Sequence, residues 1–359
     1  MLALLNFQQA SDRGAPGFSV VVDSARHEVR VVTGPYVLPA MMGEGHHGNH
    51  HAEGHETPLF GFAWPVSGGL RGFSVEVMDG SHRPLPQTLL HHLNVLNLDR
   101  RQLLQPAVER VVATGQETRP VLLPPSIAIP LPLGARMAMM AAWKNPGMTD
   151  LHDVWVQLTF RWSPADLVPR PQPVLPVALD ADYEVGTSDA YDLPMGHSLK
   201  TREFVMPIDG RLVAVGGHLH DYGVALRLEE VATGRVILEL KAEVAPDGRL
   251  RDMPRKLPGV SGPGLALRAG RRYRVVGEYN NTSGRVIPDG AMAVIGGLFA
   301  PRCMRCWPGI DPTDASFVRD LATLPGAGWA GKKWLETPSL TQLIRAPLTP
   351  NEAGMTMIP

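Results

Sequence analysis

One stretch, Leu212-Val213-Ala214-Val215-Gly216-Gly217-His218-Leu219-His220, indicates both the fold and the function of this chain. Its apolar beginning predicts a β-strand, in which residues two apart point to the same face. His218 and His220 would therefore present two imidazoles to one point, which suits a transition metal. The alternative interpretation is two exposed histidines at the end of a strand, and the rest of the sequence has to decide between the two.

The composition favours many short strands over helices. The chain has 359 residues, of which 44% are hydrophobic, and it contains 37 glycines and 34 prolines. This length can hold two domains, and abundant turn residues are typical of antiparallel β-structure. The net charge of −1 gives no reason to expect a nucleic-acid or anionic-membrane partner.

Neither a membrane span nor a clear export signal is predicted. The most apolar window, Val121 to Trp143, is interrupted by prolines and by Arg136. The segment from Met1 to Phe7 is apolar but lacks the basic residues that begin a signal peptide.

A proline-rich stretch predicts the boundary between two domains. We expect an all-β chain built from two tandem antiparallel jelly-roll-like β-sandwiches. The predicted units are a first sandwich at 16–163, a linker at 164–178, a second sandwich at 179–301 and a tail at 302–359. Two short helices are also predicted, from Pro106 to Thr114 and from Asp314 to Leu324.

The predicted first sandwich carries two adjacent histidines, His91 and His92, inside an apolar strand. Neighbouring residues normally face opposite sides of a sheet, so one histidine would lie in the core and the other at the surface. Both could reach one metal only where the strand has a bulge or an irregular twist.

A second histidine-rich segment lies earlier in the chain. Five histidines occur between His46 and His55, interspersed with glycine. This composition predicts a surface loop with loose affinity for metals, or simply a solvated loop.

Sulfur-containing residues follow in the predicted second sandwich and tail. Met292 lies on the last predicted strand of the second sandwich. Its thioether and the imidazoles of His218 and His220 form a set that suits copper, because soft sulfur favours Cu(I). Cys303 and Cys306 are the two cysteines of the chain. A local disulfide, a redox pair and half of a zinc site are all open for them, although structural zinc needs a second such pair.

The order His91-His92, then His218-Leu219-His220, then Met292 resembles the copper type II, ascorbate-dependent monooxygenases, the group of peptidylglycine α-hydroxylating and dopamine β-monooxygenases. The resemblance covers residues 30 to 300 and implies two tandem jelly-roll-like domains with one copper in each. It implies that His218, His220 and Met292 hold the O2-activating copper and are the catalytic set. It also implies that His91, His92 and a third histidine hold the other copper.

The third histidine is where this chain departs from the family pattern. On the matching late strand of the first domain the chain has Thr159, and His152, earlier in that region, is a candidate. Either His152 or a histidine of the segment from His46 to His55 would have to complete the first copper site, and without one of them the site is incomplete.

The resemblance implies O2-dependent hydroxylation of a small-molecule or peptide substrate, with ascorbate as reductant, in a periplasmic or secreted protein. Two other functions stay open. One is a non-catalytic copper-binding or storage protein on the same fold, and the other is an interaction module in which the metal set has no role.

Overall fold

Short strands joined by turns make up most of the chain, as the glycine and proline content predicts. The structure is a computed structural model that describes residues 16–40, 55–57, 59–115, 118–185 and 190–324. The strands of the first half are β1 (Gly17–Asp23), β2 (Glu28–Leu38), β3 (His55–Glu56), β4 (Phe60–Ala63), β5 (Gly68–Asp79), β6 (Leu90–Arg101), β7 (Val108–Gly115), β8 (Val121–Leu122), β9 (Ile127–Leu131), β10 (Arg136–Trp143), β11 (Leu151–Pro164) and β12 (Gln172–Pro173).

These strands form the two sheets of a first sandwich. One sheet has the order β1-β2-β11-β5-β9-β12, with β8 beside β5, and the other has the order β3-β10-β6-β7, with β4 beside β10. Pairing is antiparallel except between β12 and β9. Strand β11 shows why the sheets pack together: Val156, Leu158 and Phe160 are fully buried, while the residues between them face away from the core.

The second half has its own strands and two short helices. They are β13 (Leu175–Asp180), β14 (Tyr191–Leu193), β15 (Gly196–Val205), β16 (Gly210–Leu219), β17 (Gly223–Glu230), β18 (Arg235–Lys241), β19 (Glu243–Val244), β20 (Leu250–Asp252), α1 (Pro258–Ser261), β21 (Leu265–Leu267), β22 (Arg272–Asn281), β23 (Ile287–Ala291), β24 (Ala293–Pro301) and α2 (Ala315–Thr323). The chain is thus all-β, with jelly-roll-like sandwiches, as predicted.

A second sandwich forms from two sheets of this half. Their orders are β13-β24-β16-β21 and β15-β22-β17-β18, and the pairs β14-β23 and β19-β20 lie beside them. The core between the sheets contains Leu219 and Ile295 from one sheet, and Val275 and Tyr279 from the other.

The outer face of the β13-β24-β16 sheet points toward the first sandwich. Val213 and Ala300 lie on this face, and they belong to the same buried apolar cluster as the core of the first sandwich. Leu298 packs against that cluster from the same face. The predicted linker runs close to the first sandwich as well, because β12 pairs with β9 and Val174 is fully buried.

Helix α2 carries the chain back onto the first sandwich. Its N-cap is Asp314, whose side chain accepts hydrogen bonds from the backbone of Ser316 and Phe317. Phe317 and Leu324 pack against apolar residues of β6, β7 and β10. The helix therefore lies where the tail helix was predicted, and it buries the outer face of a first-domain sheet.

The other predicted helix, from Pro106 to Thr114, is wrong. Strand β7 covers Val108–Gly115 instead and pairs antiparallel with β6. The proline and glycine that suggested helix ends border a segment with three valines, and β-branched residues fit a half-buried pleated surface better than a helix.

No helix in the part of the chain that the structure describes is both long and apolar enough to span a membrane.

We predict that α2 is fastened by one buried carboxylate. Asp320 is 1% exposed, and it accepts hydrogen bonds from the Val108 backbone (2.8 Å), the Arg110 guanidinium (3.1 Å) and the Tyr183 hydroxyl (3.1 Å). Asp320→Ala leaves these donors without their acceptor and should lower the free energy of unfolding by about 2–3 kcal/mol. Urea unfolding measures the change.

The control is Arg319→Ala, which removes an exposed side chain from the same helix and should change stability by less than about 0.5 kcal/mol. Equal unfolding midpoints for the two variants would contradict this account of α2.

Candidate metal centre

The two histidines of the second sandwich lie at the end of β16. Leu219, between them, is buried in the core, so His218 and His220 point away from the core on the opposite face. Both residues are half-buried. Their ring centroids are 5.3 Å apart with the ring planes at 87°, so the two imidazoles are neighbours on one face of the sheet.

Met292 lies between β23 and β24, one residue before the part of β24 that pairs with β16. In the ladder between β16 and β24, His218 pairs with Val294 and Leu219 with Ala293. His220 and Met292 are the next residues of the two chain segments, just beyond this last pair. Ala293 is buried in the core, so Met292 faces away from it, as the two histidines do.

A single hydroxyl group joins the two residues at this point. The Tyr279 hydroxyl accepts hydrogen bonds from the backbone N–H of His220 (3.0 Å) and of Met292 (3.1 Å). It donates its own hydrogen to the carbonyl of Met292. Two backbone groups that carry predicted ligands therefore contact the same oxygen atom.

The hydroxyl reaches across the sandwich at a level where β22 and β24 leave no room for a side chain on Gly277. A Cβ built on Gly277, two residues before Tyr279, would lie 2.3 Å from the Cβ of Ala293. No larger side chain fits between β22 and β24 at this level. Gly217 has a similar role on β16, since a Cβ there would lie 2.6 Å from Leu226.

The core side of the site is apolar, and the Arg255 side chain lies near its outer face. Burial raises the pKa of Tyr279 to about 12, so its hydroxyl stays protonated at neutral pH and keeps a hydrogen to donate. Gly216 lies two residues before His218, on the same outer face. A Cβ built on Gly216 would lie 3.7 Å from the Arg255 side chain.

The adjacent histidines of the first sandwich lie on a bulge. His92 pairs with Ala142 and Leu90 with Trp143, so the register shifts by one residue and His91 is the extra residue. The two ring centroids are 5.0 Å apart, with the planes at 52°. The structure therefore has the irregularity that would let both imidazoles approach one metal.

Within the ranges that the structure describes, no third histidine joins this pair. His152 is exposed at the beginning of β11, and Thr159 is on the face of that strand away from the core. Among the described residues, no three side chains of histidine, cysteine, aspartate or glutamate are grouped so that they could hold a metal. His91, His92 and His152 thus do not form the predicted set, because His152 lies on the other sheet of the sandwich.

Two other predicted features have different outcomes. The histidine-rich segment lies outside the described residues, apart from the backbone of His55, which pairs with Trp143. Cys303 and Cys306 form a local disulfide, one of the alternatives left open, with Cα atoms 5.3 Å apart.

Sequence reasoning missed Tyr279. It lies on β22, where an alternating pattern of residues gives it the appearance of an ordinary core residue. Nothing local distinguishes it from Tyr273 on the same strand, because its role depends on a contact with the opposite sheet.

No family model matches this chain, and no curated protein does. Among solved structures, it is similar to PNGase F, a glycosylasparaginase from Flavobacterium meningosepticum, at 10% identity and a TM-score of 0.37, with 75% of this chain and 95% of that chain covered. It is also similar to the major capsid protein P2 of bacteriophage PM2, at 8% identity and a TM-score of 0.34, with 77% and 98% covered. We draw nothing about activity from likenesses this distant.

We predict that the close approach of the two sheets is required for stability. Gly277→Ala forces a methyl group against Ala293, and neither backbone can yield without moving a strand. The free energy of unfolding should therefore fall by about 1–3 kcal/mol. Denaturant unfolding followed by tryptophan fluorescence measures the effect.

Gly296→Ala is the matched control, because a Cβ on Gly296 meets no atom within 4 Å. Both glycines lie in strands of the second sandwich, on β22 and β24 respectively. If Gly277→Ala were as stable as Gly296→Ala, the sheets would not be in contact at this level.

Proposed function

We propose that His218, His220 and Met292 hold a copper ion and that the protein is a copper-dependent monooxygenase-like enzyme. The observation that carries the proposal is the Tyr279 hydroxyl, which contacts the backbone of both His220 and Met292. Residues from distant parts of the sequence are thereby next to each other, on the face that also carries His218.

The donor set fits copper in particular. Two neutral imidazoles and one thioether are a combination that soft Cu(I) accepts and that hard, oxygen-preferring cations do not. Copper bound in this way would supply one-electron redox chemistry toward O2. The chain's own contribution is to keep the imidazoles 5.3 Å apart and to exclude water from beneath them with the packed core.

The substrate class is an organic molecule, either small or peptidic, and ascorbate is the proposed reductant. The candidate centre lies on the outer face of the β13-β24-β16 sheet. At the opposite end of this face, Val213 and Ala300 pack against the first sandwich. A substrate would therefore approach along this face, on the side of the molecule where the half-buried ligand residues are accessible.

The first sandwich supports a weaker metal site. His91 and His92 lie together on a bulge, yet the described residues offer no third histidine, cysteine or carboxylate beside them. A second copper that stores an electron is therefore the less supported half of the proposal. Because the second sandwich offers three donor residues and the first offers two, a second candidate function is a copper-binding or storage protein on the same fold.

We also propose an extracytoplasmic location. The Cys303–Cys306 disulfide supports it, because disulfides persist in oxidising compartments and are rare in the cytosol.

The proposal predicts tight Cu(I) binding that depends on three side chains. A titration against a competing Cu(I) chelator removes loosely held metal and measures the dissociation constant of the site. Loss of a residue that only hydrogen-bonds to a metal ligand typically costs roughly 10- to 100-fold in metal affinity. His218→Ala removes a ligand itself, so it should weaken Cu(I) binding by more than that. Met292→Leu, which preserves volume, should weaken Cu(I) more than Cu(II).

His197→Ala is the control for these variants. His197 is a histidine of the same sandwich, but its side chain is 60% exposed and bonds to Glu278 instead. The proposal requires that His197→Ala binds Cu(I) with the same affinity as the wild type. Absence of tight Cu(I) binding by the wild-type protein would leave an interaction module as the better description.

Catalysis and storage differ in their use of O2. The enzyme hypothesis predicts ascorbate-dependent O2 consumption by the copper-loaded protein that rises when a substrate is added and is lost in His220→Ala. A storage protein would bind the same copper without sustained O2 uptake across a panel of small molecules and peptides.

A further inference from the structure

We propose that Tyr279 is the positioning residue of this centre, setting the distance between the Met292 and histidine ligands through their backbones. The inference rests on the proposed copper site. It assigns to a buried core tyrosine a role that its place in the sequence pattern does not suggest.

The hydrogen bonds of Tyr279 are complete and involve backbone alone. A phenolic hydroxyl has one hydrogen to donate and two lone pairs to accept with. Here the hydrogen goes to the Met292 carbonyl, and the lone pairs accept from the Met292 and His220 N–H groups. None of these bonds uses an imidazole nitrogen or the thioether sulfur, so Tyr279 fixes the ligand residues without competing with a metal for their donor atoms.

The Tyr279 hydroxyl bonds the chain just beyond the end of the ladder between β16 and β24. This ladder ends at Leu219 and Ala293, one residue short of His220 and Met292. At the next step the Tyr279 oxygen bonds the backbone of both residues. Because the ladder has already ended there, the hydroxyl is what links the His220 backbone to the Met292 backbone.

Tyr279 is itself held rigidly. It is 1% exposed and lies on β22, which has β15 on one side and β17 on the other. Its ring meets the ring of Tyr191 edge to face, with centroids 6.4 Å apart, and Tyr191 pairs with Ala291, the neighbour of Met292. The hydroxyl therefore cannot shift without moving the sheet.

A second tyrosine on the same strand provides a matched control. Tyr273 is 2% exposed, lies in the same core, and its hydroxyl also accepts a backbone hydrogen bond, from Arg268 at 2.9 Å. Tyr273→Phe removes a buried hydroxyl as Tyr279→Phe does, but from a turn that carries none of the proposed ligands.

The test compares Cu(I) affinity and stability in the two variants. Both substitutions should lower stability, because Tyr279→Phe leaves two backbone N–H groups without this acceptor and Tyr273→Phe leaves one. Tyr279→Phe should in addition weaken Cu(I) binding by about 10- to 100-fold, the usual cost of losing an outer-sphere partner, while Tyr273→Phe binds as the wild type does. Equal Cu(I) affinity in Tyr279→Phe and the wild type would overturn the inference and leave the proposed copper site standing.

Amide hydrogen exchange of the metal-free wild-type protein tests the same point without any substitution. The His220 and Met292 amides should exchange slowly, because both donate to a buried oxygen. Rapid exchange at both amides would overturn the inference even if Tyr279→Phe failed to fold. A wild-type protein that does not bind Cu(I) would instead overturn the proposed function, and the inference with it.

Discussion

The close contact between the two sheets of the second sandwich is the constraint on which the candidate centre depends. Gly277 has no side chain and Ala293 has only a methyl group, so β22 and β24 approach more closely than larger residues would permit. This proximity lets the Tyr279 hydroxyl cross the core and bond the backbone of the opposite sheet. The core packing and the position of Met292 beside His220 are therefore consequences of the same few residues.

Much of this arrangement could be predicted from the sequence, because it follows from local rules. Alternation along a strand puts His218 and His220 on one face, and the adjacent pair His91-His92 can act together only on a bulge, which the structure contains. The all-β class follows from the turn residues and the short apolar runs. The residue that joins the backbones of His220 and Met292 could not be predicted, since Tyr279 and Tyr273 have the same local pattern and differ only in the backbone groups that their hydroxyls meet.

The failures of prediction have equally specific causes. The segment after Pro106 has plausible helix ends, but its valines pack better in β7 than they would in a helix. His152 is a candidate in the sequence because it is close to Thr159 along the chain. Strand β11 belongs to the sheet opposite β6, however, so closeness along the chain does not bring this side chain to His91 and His92. Two candidate sites that look similar in sequence therefore differ in how well the fold supports them, and copper binding in the second sandwich is better supported than a two-copper reaction.

X-ray absorption at the copper edge of the Cu(I)-loaded protein tests the central claim most directly, because it identifies the atoms bound to the metal. The account predicts one sulfur and two imidazole nitrogens around copper in the wild type, with the sulfur contribution lost in Met292→Leu while the imidazoles remain. A wild-type spectrum without sulfur, or a sulfur contribution that persists in Met292→Leu, would contradict it.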